Sequence, residues 1–261
     1  FARSMPQHGG ELLAHYLDVV LGHLRDDASA RETLESGYAT YRALPTPKPP
    51  FRAWMAEYHS ELAEEPWWGA RVRMLQLLGA EGADYDVDAV RKRVEPLADA
   101  LVLEMIVLCS RRGAHEDALR LLVRGLGDYD GAIRYALLGG GGTYHPVSGA
   151  LQGAAGGVEE QRRLFRGLLG EFLGIEDLGE RVEMTGVLLG RFGGWFDVVE
   201  VLGLAPEGWS VSVFGGFLES ALRRVGRERR EGMVVRALAA GENLAVGGEW
   251  VGRVEGVVVE E

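Results

Sequence analysis

The residue types that most often carry chemistry show no catalytic or metal-binding spacing in this chain. No two histidines lie four positions apart with a glutamate between them, which is the spacing by which a helix holds zinc. Adjacent carboxylates occur at Glu64-Glu65, Glu159-Glu160 and Glu260-Glu261. Without an apolar cleft around them, such pairs are typical of a solvated face. We therefore expect no catalytic, cofactor-binding or metal-binding residue, and this holds for all six histidines, which are His8, His15, His23, His59, His115 and His145.

The single cysteine, Cys109, ends the apolar run that begins at Leu101. One cysteine builds neither a disulfide framework nor a cysteine-based zinc site, and its presence is compatible with a reducing cytosol. A thiol in apolar surroundings is poorly ionised, so the sequence predicts a buried structural residue and not a nucleophile.

The overall charge limits the classes of partner. Lys and Arg number 28 against 39 Asp and Glu, which gives a net charge of −11. A nucleic-acid-binding helical repeat needs a positive face, and an anionic lipid surface attracts one, so both are disfavoured as partners. No stretch approaches the ~18 uncharged apolar residues of a membrane span, and no signal peptide is apparent. We expect a cytoplasmic protein, of which a chain beginning with Phe1 is a segment.

The elements that position these residues are predicted to be short helices. Apolar residues recur three and four positions apart, and no run shows the two-residue alternation of a sheet. Pro45 to Pro50 stop one helix, and Pro66 fits the first turn of another. The predicted helices cover about 10–25, 29–44, 51–62, 66–78, 86–96, 97–111, 115–126 and 128–138, followed by five more stripes between 164 and 238.

The pattern predicts an all-α fold, an α-solenoid of stacked antiparallel helix pairs. Residues 1–138 are predicted to be its N-terminal part. Residues 139–157 begin with four glycines and are predicted to be a flexible connection. Residues 158–261 are predicted to be its C-terminal part with a short tail at the valines 257–259. Internal glycines cost about 1 kcal/mol each relative to Ala, so these helices are expected to depend on stacking.

The C-terminal helices carry the candidate partner-binding residues. Trp195 begins an apolar stripe, and Trp209 precedes a helix at the position of a hydrophobic staple, with Ser210 or Ser212 as the cap. Large aromatic residues serve either as core or as interface hot spots, and both interpretations stay open here. The aromatic candidates are Trp195, Phe196, Trp209, Phe214 and Phe217.

An arginine cluster follows these aromatic residues. One interpretation is a solvated face balanced by Glu219, Glu228 and Glu231. The other is a contact for an acidic partner, because Arg forms bidentate pairs and is enriched at interfaces. The candidates in this cluster are Arg223, Arg224, Arg227 and Arg230.

Several runs resemble a known family. The segment 191–211, with Arg191-Phe-Gly-Gly-Trp-Phe, and the segments 217–224, 234–238 and 242–244 resemble the C-terminal part of the family of vacuolar sorting protein thirty-nine and the TGF-β-receptor-associated proteins. The segment 103–123 is similar to its Gly-x-x-x-x-Ala-Leu turn, and 126–135 to its Ala-x-x-Tyr helix. The likeness covers about 97–244 and is greatest to the fungal branch that belongs to the CORVET tether. Ala136 departs from the Cys of many relatives.

The resemblance implies a non-catalytic scaffold segment of an endosomal or vacuolar membrane-tethering complex. It implies that the segment docks onto the RING-bearing core subunit, with Rab recognition mainly outside it, and that it is peripheral on endosomal or vacuolar membranes. The surface expected to dock is the helices of 209–244. The alternative is a helical-bundle enzyme or small-ligand-binding protein, which would need an apolar pocket with convergent titratable groups.

Overall fold

The computed structural model describes residues 9–80, 84–140, 157–206 and 208–257. No β-strand occurs in these ranges, so the predicted all-α fold is confirmed. Short 3-10 turns at 60–64, 95–97, 193–195 and 211–214 join some of the helices. The α-helices are α1 Gly9–Asp26, α2 Ala28–Arg42, α3 Phe51–Tyr58, α4 Pro66–Gly79, α5 Val87–Val94, α6 Val102–Arg112, α7 His115–Arg120, α8 Tyr129–Leu137, α9 Val158–Leu173, α10 Leu178–Phe192, α11 Val198–Leu204 and α12 Gly215–Val257.

Local sequence signals set most helix ends. The Asp86 side chain accepts a hydrogen bond from the backbone N–H of Ala89, and Asp128 accepts one from Gly131, so both cap the helices that follow them. Pro66 opens α4, where a missing N–H costs nothing. Gly113 closes α6 with a φ of 79°, a conformation that glycine adopts without strain. These ends agree with the predictions from sequence.

The predicted helix over 97–111 is shorter at its start. Residues 95–97 form a 3-10 turn, and Leu101 has φ −117° and ψ 41°, outside the helical region, so α6 begins at Val102. The helix predicted over 115–126 begins as α7 and continues as a π-helical segment, Leu121–Leu126. Both changes occur where tertiary packing competes with the local helical pattern.

The helices pack both on neighbours in the chain and on helices more distant in sequence. The most extensive contact joins α1 and α4, and α6 lies among α4, α5 and α7. The contacts of α9 with α7, α8 and α10 continue the packing towards the C-terminus. The predicted burial of α6 is confirmed, since Val102 and every residue from Glu104 to Cys109 are buried. Of the predicted connection 139–157, residues 141–156 lie outside the described residues.

The last helix differs most from the prediction. The sequence predicts two separate apolar stripes, one that ends at Val225 and one that begins at Met233, but α12 runs without interruption over 43 residues. Gly226 and Gly232 weaken a helix without blocking it, because only proline removes a backbone hydrogen bond. The early part of α12 packs on α10, with Phe217 and Ala221 buried, while Leu222, Val225 and Met233 are exposed. No helix within the described ranges is both long and apolar enough to cross a membrane.

Two glycines inside helices should respond differently to alanine. A Cβ on Gly37 in α2 would lie 2.7 Å from Nε2 of the buried His59, whereas a Cβ on Gly22 in α1 meets no atom within 4 Å. Both substitutions gain about 1 kcal/mol of helix propensity. We expect Gly22→Ala to raise the free energy of unfolding by about 1 kcal/mol. The free energy of unfolding of Gly37→Ala should be about 1–3 kcal/mol lower than that of Gly22→Ala, because the new Cβ overpacks against His59. Urea unfolding of the two variants tests this, and equal stabilities would contradict the close approach.

Candidate partner-binding surface

The ring of Phe165 on α9 contacts two of the candidate aromatic residues, Trp195 and Phe196. The Trp195 ring stacks on it with centroids 5.3 Å apart, and the Phe196 ring meets it edge-on at 6.0 Å. Phe165 and Phe196 are buried, while Trp195 is half-buried. Trp195 and Phe196 therefore pack within the chain, in the manner of the core interpretation, and only Trp195 keeps surface for a partner.

The remaining aromatic candidates seat α12 on the preceding turns. The ring centroids of Trp209 and Phe214 lie 5.8 Å apart, which is the predicted staple, and the Ser210 hydroxyl caps the 3-10 turn by accepting from the N–H of Ser212. Phe217 lies so close to Gly193 that a Cβ there would meet its ring at 2.9 Å. Phe214 and Phe217 are buried and Trp209 is half-buried, so of these three only Trp209 offers surface.

The candidate arginines divide along α12. Arg223 is exposed and pairs with Glu219 one turn earlier, a pair of little net energy. Arg224 is half-buried and donates to the carbonyl of Gly193 at 3.4 Å, which helps to seat the helix. Arg227 and Arg230 are exposed, and neither forms an ion pair with another described residue. Arg224 therefore helps to hold α12 against the preceding turn, whereas Arg227 and Arg230 keep their charge at the surface.

Apolar side chains are exposed along α12, which covers most of the segment 209–244 that is expected to dock. Leu222 is 73% exposed and Met233 is 54% exposed. Apolar exposure of this kind on one helix marks an interaction surface more often than an isolated exposed residue does. The other exposed members are Val225, Val234, Val235, Leu238 and Val246.

The titratable side chains around one cleft are paired within the chain. A cleft of about 210 Å³ lies between the α6–α7 turn and α9. His115 there meets the Tyr135 hydroxyl at 2.7 Å, Glu116 pairs with Arg163 at 3.7 Å and Asp117 pairs with Arg120 at 3.1 Å. Each of these three side chains therefore already contacts a partner within the chain. No cluster of three or more His, Cys, Asp or Glu suited to a metal is present among the described residues.

A buried polar network joins three helices and was not predicted. Arg71 on α4 donates from Nε to Oε1 of Glu104 at 2.7 Å and from Nη2 to Oε2 at 3.1 Å, and both side chains are buried. The same Nη2 donates to the Tyr38 hydroxyl at 2.8 Å, which donates in turn to the carbonyl of Ala100. Burial alone would lower the pKa of Arg71, but the Glu104 carboxylate outweighs it and raises that pKa. The one feature of the sequence that points to this network is Glu104, a glutamate inside an otherwise apolar helix.

His59 gives the stability of this region a pH dependence. Burial, with a smaller contribution from Arg71, lowers the pKa of His59 to about 4 from an ordinary 6.5. The stability that depends on a neutral ring is complete above pH 6.5 and is lost as the pH falls towards 4. We expect unmodified protein to lose about 2 kcal/mol more than His59→Gln between pH 7 and pH 5. Urea unfolding at both pH values measures the difference, and identical losses would contradict it.

The chain is similar to a segment of transforming growth factor-beta receptor-associated protein 1. The mouse protein is 34% identical over 161 residues, which is 61% of this chain and 17% of the mouse protein. The human protein is 32% identical over 145 residues, or 55% of the chain and 15% of the human protein. The zebrafish homolog is 29% identical over 183 residues, or 70% of the chain and 20% of that protein.

The chain therefore spans at most about a fifth of the length of these receptor-associated protein 1 relatives. No family model matches the chain. No solved structure matches it either. The similarity extends to several relatives that share one name, and it agrees with the resemblance seen in the sequence motifs.

Proposed function

We propose that this chain is a non-catalytic scaffold segment of a membrane-tethering complex, in the family of transforming growth factor-beta receptor-associated protein 1. In the finer form of the proposal the complex is CORVET-like and acts in endosome fusion and vacuolar protein sorting. The segment docks onto the RING-bearing core subunit on the cytoplasmic side of endosomal or vacuolar membranes. Rab recognition lies mainly in other parts of the protein.

The similarity to receptor-associated protein 1 carries this proposal. The described residues form helices and no strand, and helix-on-helix packing of this kind is compatible with a scaffold built as an α-solenoid. The proposed organisation keeps an N-terminal part over 1–138, a Gly-rich connection over 139–157 and a C-terminal part over 158–261. The absence of a metal cluster among the described residues adds no weight to it.

The docking surface that we propose is the exposed length of α12. Its early part is anchored by Phe217 and by the hydrogen bond from Arg224 to Gly193. The following turns expose apolar side chains at Leu222 and Val225 beside free arginines at Arg227 and Arg230. A partner helix with an apolar stripe and acidic flanks would bury Leu222 and Val225 and would neutralise the two arginines. Trp209 borders this surface and is half-buried.

A pull-down with the RING-bearing core subunit tests the proposal. The variant Leu222→Glu/Val225→Glu is expected to weaken binding more than about tenfold, because carboxylates would then be buried against an apolar stripe. The variant Arg227→Glu/Arg230→Glu is expected to slow association and remove its dependence on salt. Leu178→Glu/Val199→Glu is the matched control, since both side chains are at least 60% exposed and lie on other helices.

The outcomes separate the two levels of the proposal. Failure of the unmodified chain to bind the core subunit, while the full-length protein binds it, would overturn docking by this segment. Equal loss in the control variant would overturn the assignment of α12. Circular dichroism of every variant confirms that helical content is retained.

A further inference from the structure

A second exposed surface lies far along the chain from α12, on α3 and the start of α4. Residues 53–70, which lie between Arg52 and Arg71, contain three of the six tryptophans, Tyr58 and four glutamates. We call the rings of Trp54, Tyr58 and Trp68 the aromatic face. Tyr58 is 43% exposed, and the two tryptophans are half-buried.

The rings of the aromatic face are connected by direct contacts. Trp54 and Tyr58 lie one turn apart on α3 and stack with centroids 4.6 Å apart. Tyr58 meets His59 edge-on at 4.9 Å, and His59 meets Trp68 at 5.4 Å. Exposed single aromatic residues need no explanation, but a connected group at the surface is uncommon in a monomer.

Buried residues hold the aromatic face from below. His59 is buried against Gly37 of α2, and the guanidinium carbon of Arg71 lies 5.3 Å from the centre of the Trp68 ring. Trp54 also contacts the buried Tyr41 at 5.2 Å between ring centroids. Rings fixed in this way lose little conformational freedom when a ligand arrives, so their contact area is available at low entropic cost.

The charge around the aromatic face selects the partner. Glu57, Glu61, Glu64 and Glu65 are all exposed, and none forms an ion pair with a described residue. The nearest arginine of α4, Arg71, is neutralised in the core by Glu104. An acidic rim repels nucleic acid and anionic lipid and attracts cations, and aromatic rings attract cations as well.

We propose that the aromatic face binds a segment of another protein that places lysine or arginine side chains beside an apolar anchor. The anchor packs on Trp54 and Tyr58, and the basic side chains pair with Glu57, Glu61, Glu64 and Glu65. Binding is predicted to weaken with rising salt, because the charged part of the contact is exposed to solvent. This surface is separate from α12, so it does not depend on the docking proposed above.

Calorimetric titration of the 261-residue chain with a short helical peptide of lysine and leucine tests the proposal. The expected result is binding that is lost at high salt, with no binding of a glutamate and leucine peptide of equal length. Tyr58→Ser and, separately, Glu61→Lys/Glu64→Lys are each expected to weaken it about tenfold or more, as truncated hot spots and reversed charges do. The matched control Glu228→Lys/Glu231→Lys makes the same change in net charge on α12 and is expected to change binding less than about twofold.

Four results would overturn the proposal. These are no binding of the lysine peptide, equal binding of the acidic peptide, equal weakening by the control, and self-association of the chain that Tyr58→Ser abolishes, since the last result would make the face an interface between two copies. The Leu222→Glu/Val225→Glu variant should bind the lysine peptide normally, so failure here is distinguishable from failure of docking through α12.

Discussion

Replacement of Arg71 with methionine is expected to lower the free energy of unfolding by about 3–5 kcal/mol. The substitution removes a buried cation and leaves the Glu104 carboxylate, which is fully buried, without its partner. Methionine has a similar volume, so packing changes contribute little to the loss. The Tyr38 hydroxyl keeps its own acceptor at Ala100, and the loss therefore reports mainly on the carboxylate.

A double variant separates the cost of an unpaired charge from the net value of the pair. Arg71→Met/Glu104→Leu removes both charges, and replacing a buried pair with apolar residues is often neutral. We expect it to recover most of the stability that Arg71→Met loses. Arg73→Met is the control on the same helix, where the exposed side chain predicts a change within about 0.5 kcal/mol. Urea unfolding measures all three, and a loss below about 1 kcal/mol for Arg71→Met would show that water reaches the pair.

Replacement of Phe165 with alanine is expected to cost about 3–5 kcal/mol, as large aromatic deletions in cores do. Phe165 is fully buried and contacts the rings of Phe192, Trp195 and Phe196. The turn that carries Trp195 also seats Phe217 of α12. The cavity should therefore loosen the attachment of α12 in addition to the local core.

Two measurements follow the Phe165→Ala variant. Thermal or urea unfolding gives the loss of stability, and limited proteolysis over 193–215 reports local opening, which should increase at temperatures where the rest of the chain stays folded. Val158→Ala, an exposed position on the same helix, is the control and should change stability by less than about 0.5 kcal/mol. Uniform protease sensitivity along the variant chain would contradict a local seat for α12.

The structure shows which of the candidate residues are buried and which are exposed. The sequence left core and partner-binding roles open for Phe196, Phe214 and Phe217, and the structure buries all three rings. Leu222 and Met233 lie on predicted apolar stripes of the same segment, and the structure leaves both exposed. Helical periodicity identifies which residues share a face, but a neighbouring helix must be present before that face is buried.

The aromatic face and the buried Arg71–Glu104 pair had only weak signals in the sequence. Arg71 and Glu104 are 33 positions apart, and no local rule relates an arginine on one helix to a glutamate on another. For the aromatic face, the sequence predicts only a helix over 51–62, in which Trp54 and Tyr58 have the spacing of residues that share one helical side. Their partial exposure depends on which helices reach α3.

The sequence by itself determined the all-α class, most helix ends and the absence of catalytic spacings. Those features depend on contacts within a few residues, such as the capping of α8 by Asp128 and the start of α4 at Pro66. Only the tertiary structure decided that Phe217 is buried while Leu222 is not, and that Arg71 meets Glu104. The physical reason is that burial and ion pairing depend on the distance between helices, whereas capping and periodicity depend on the local chain alone.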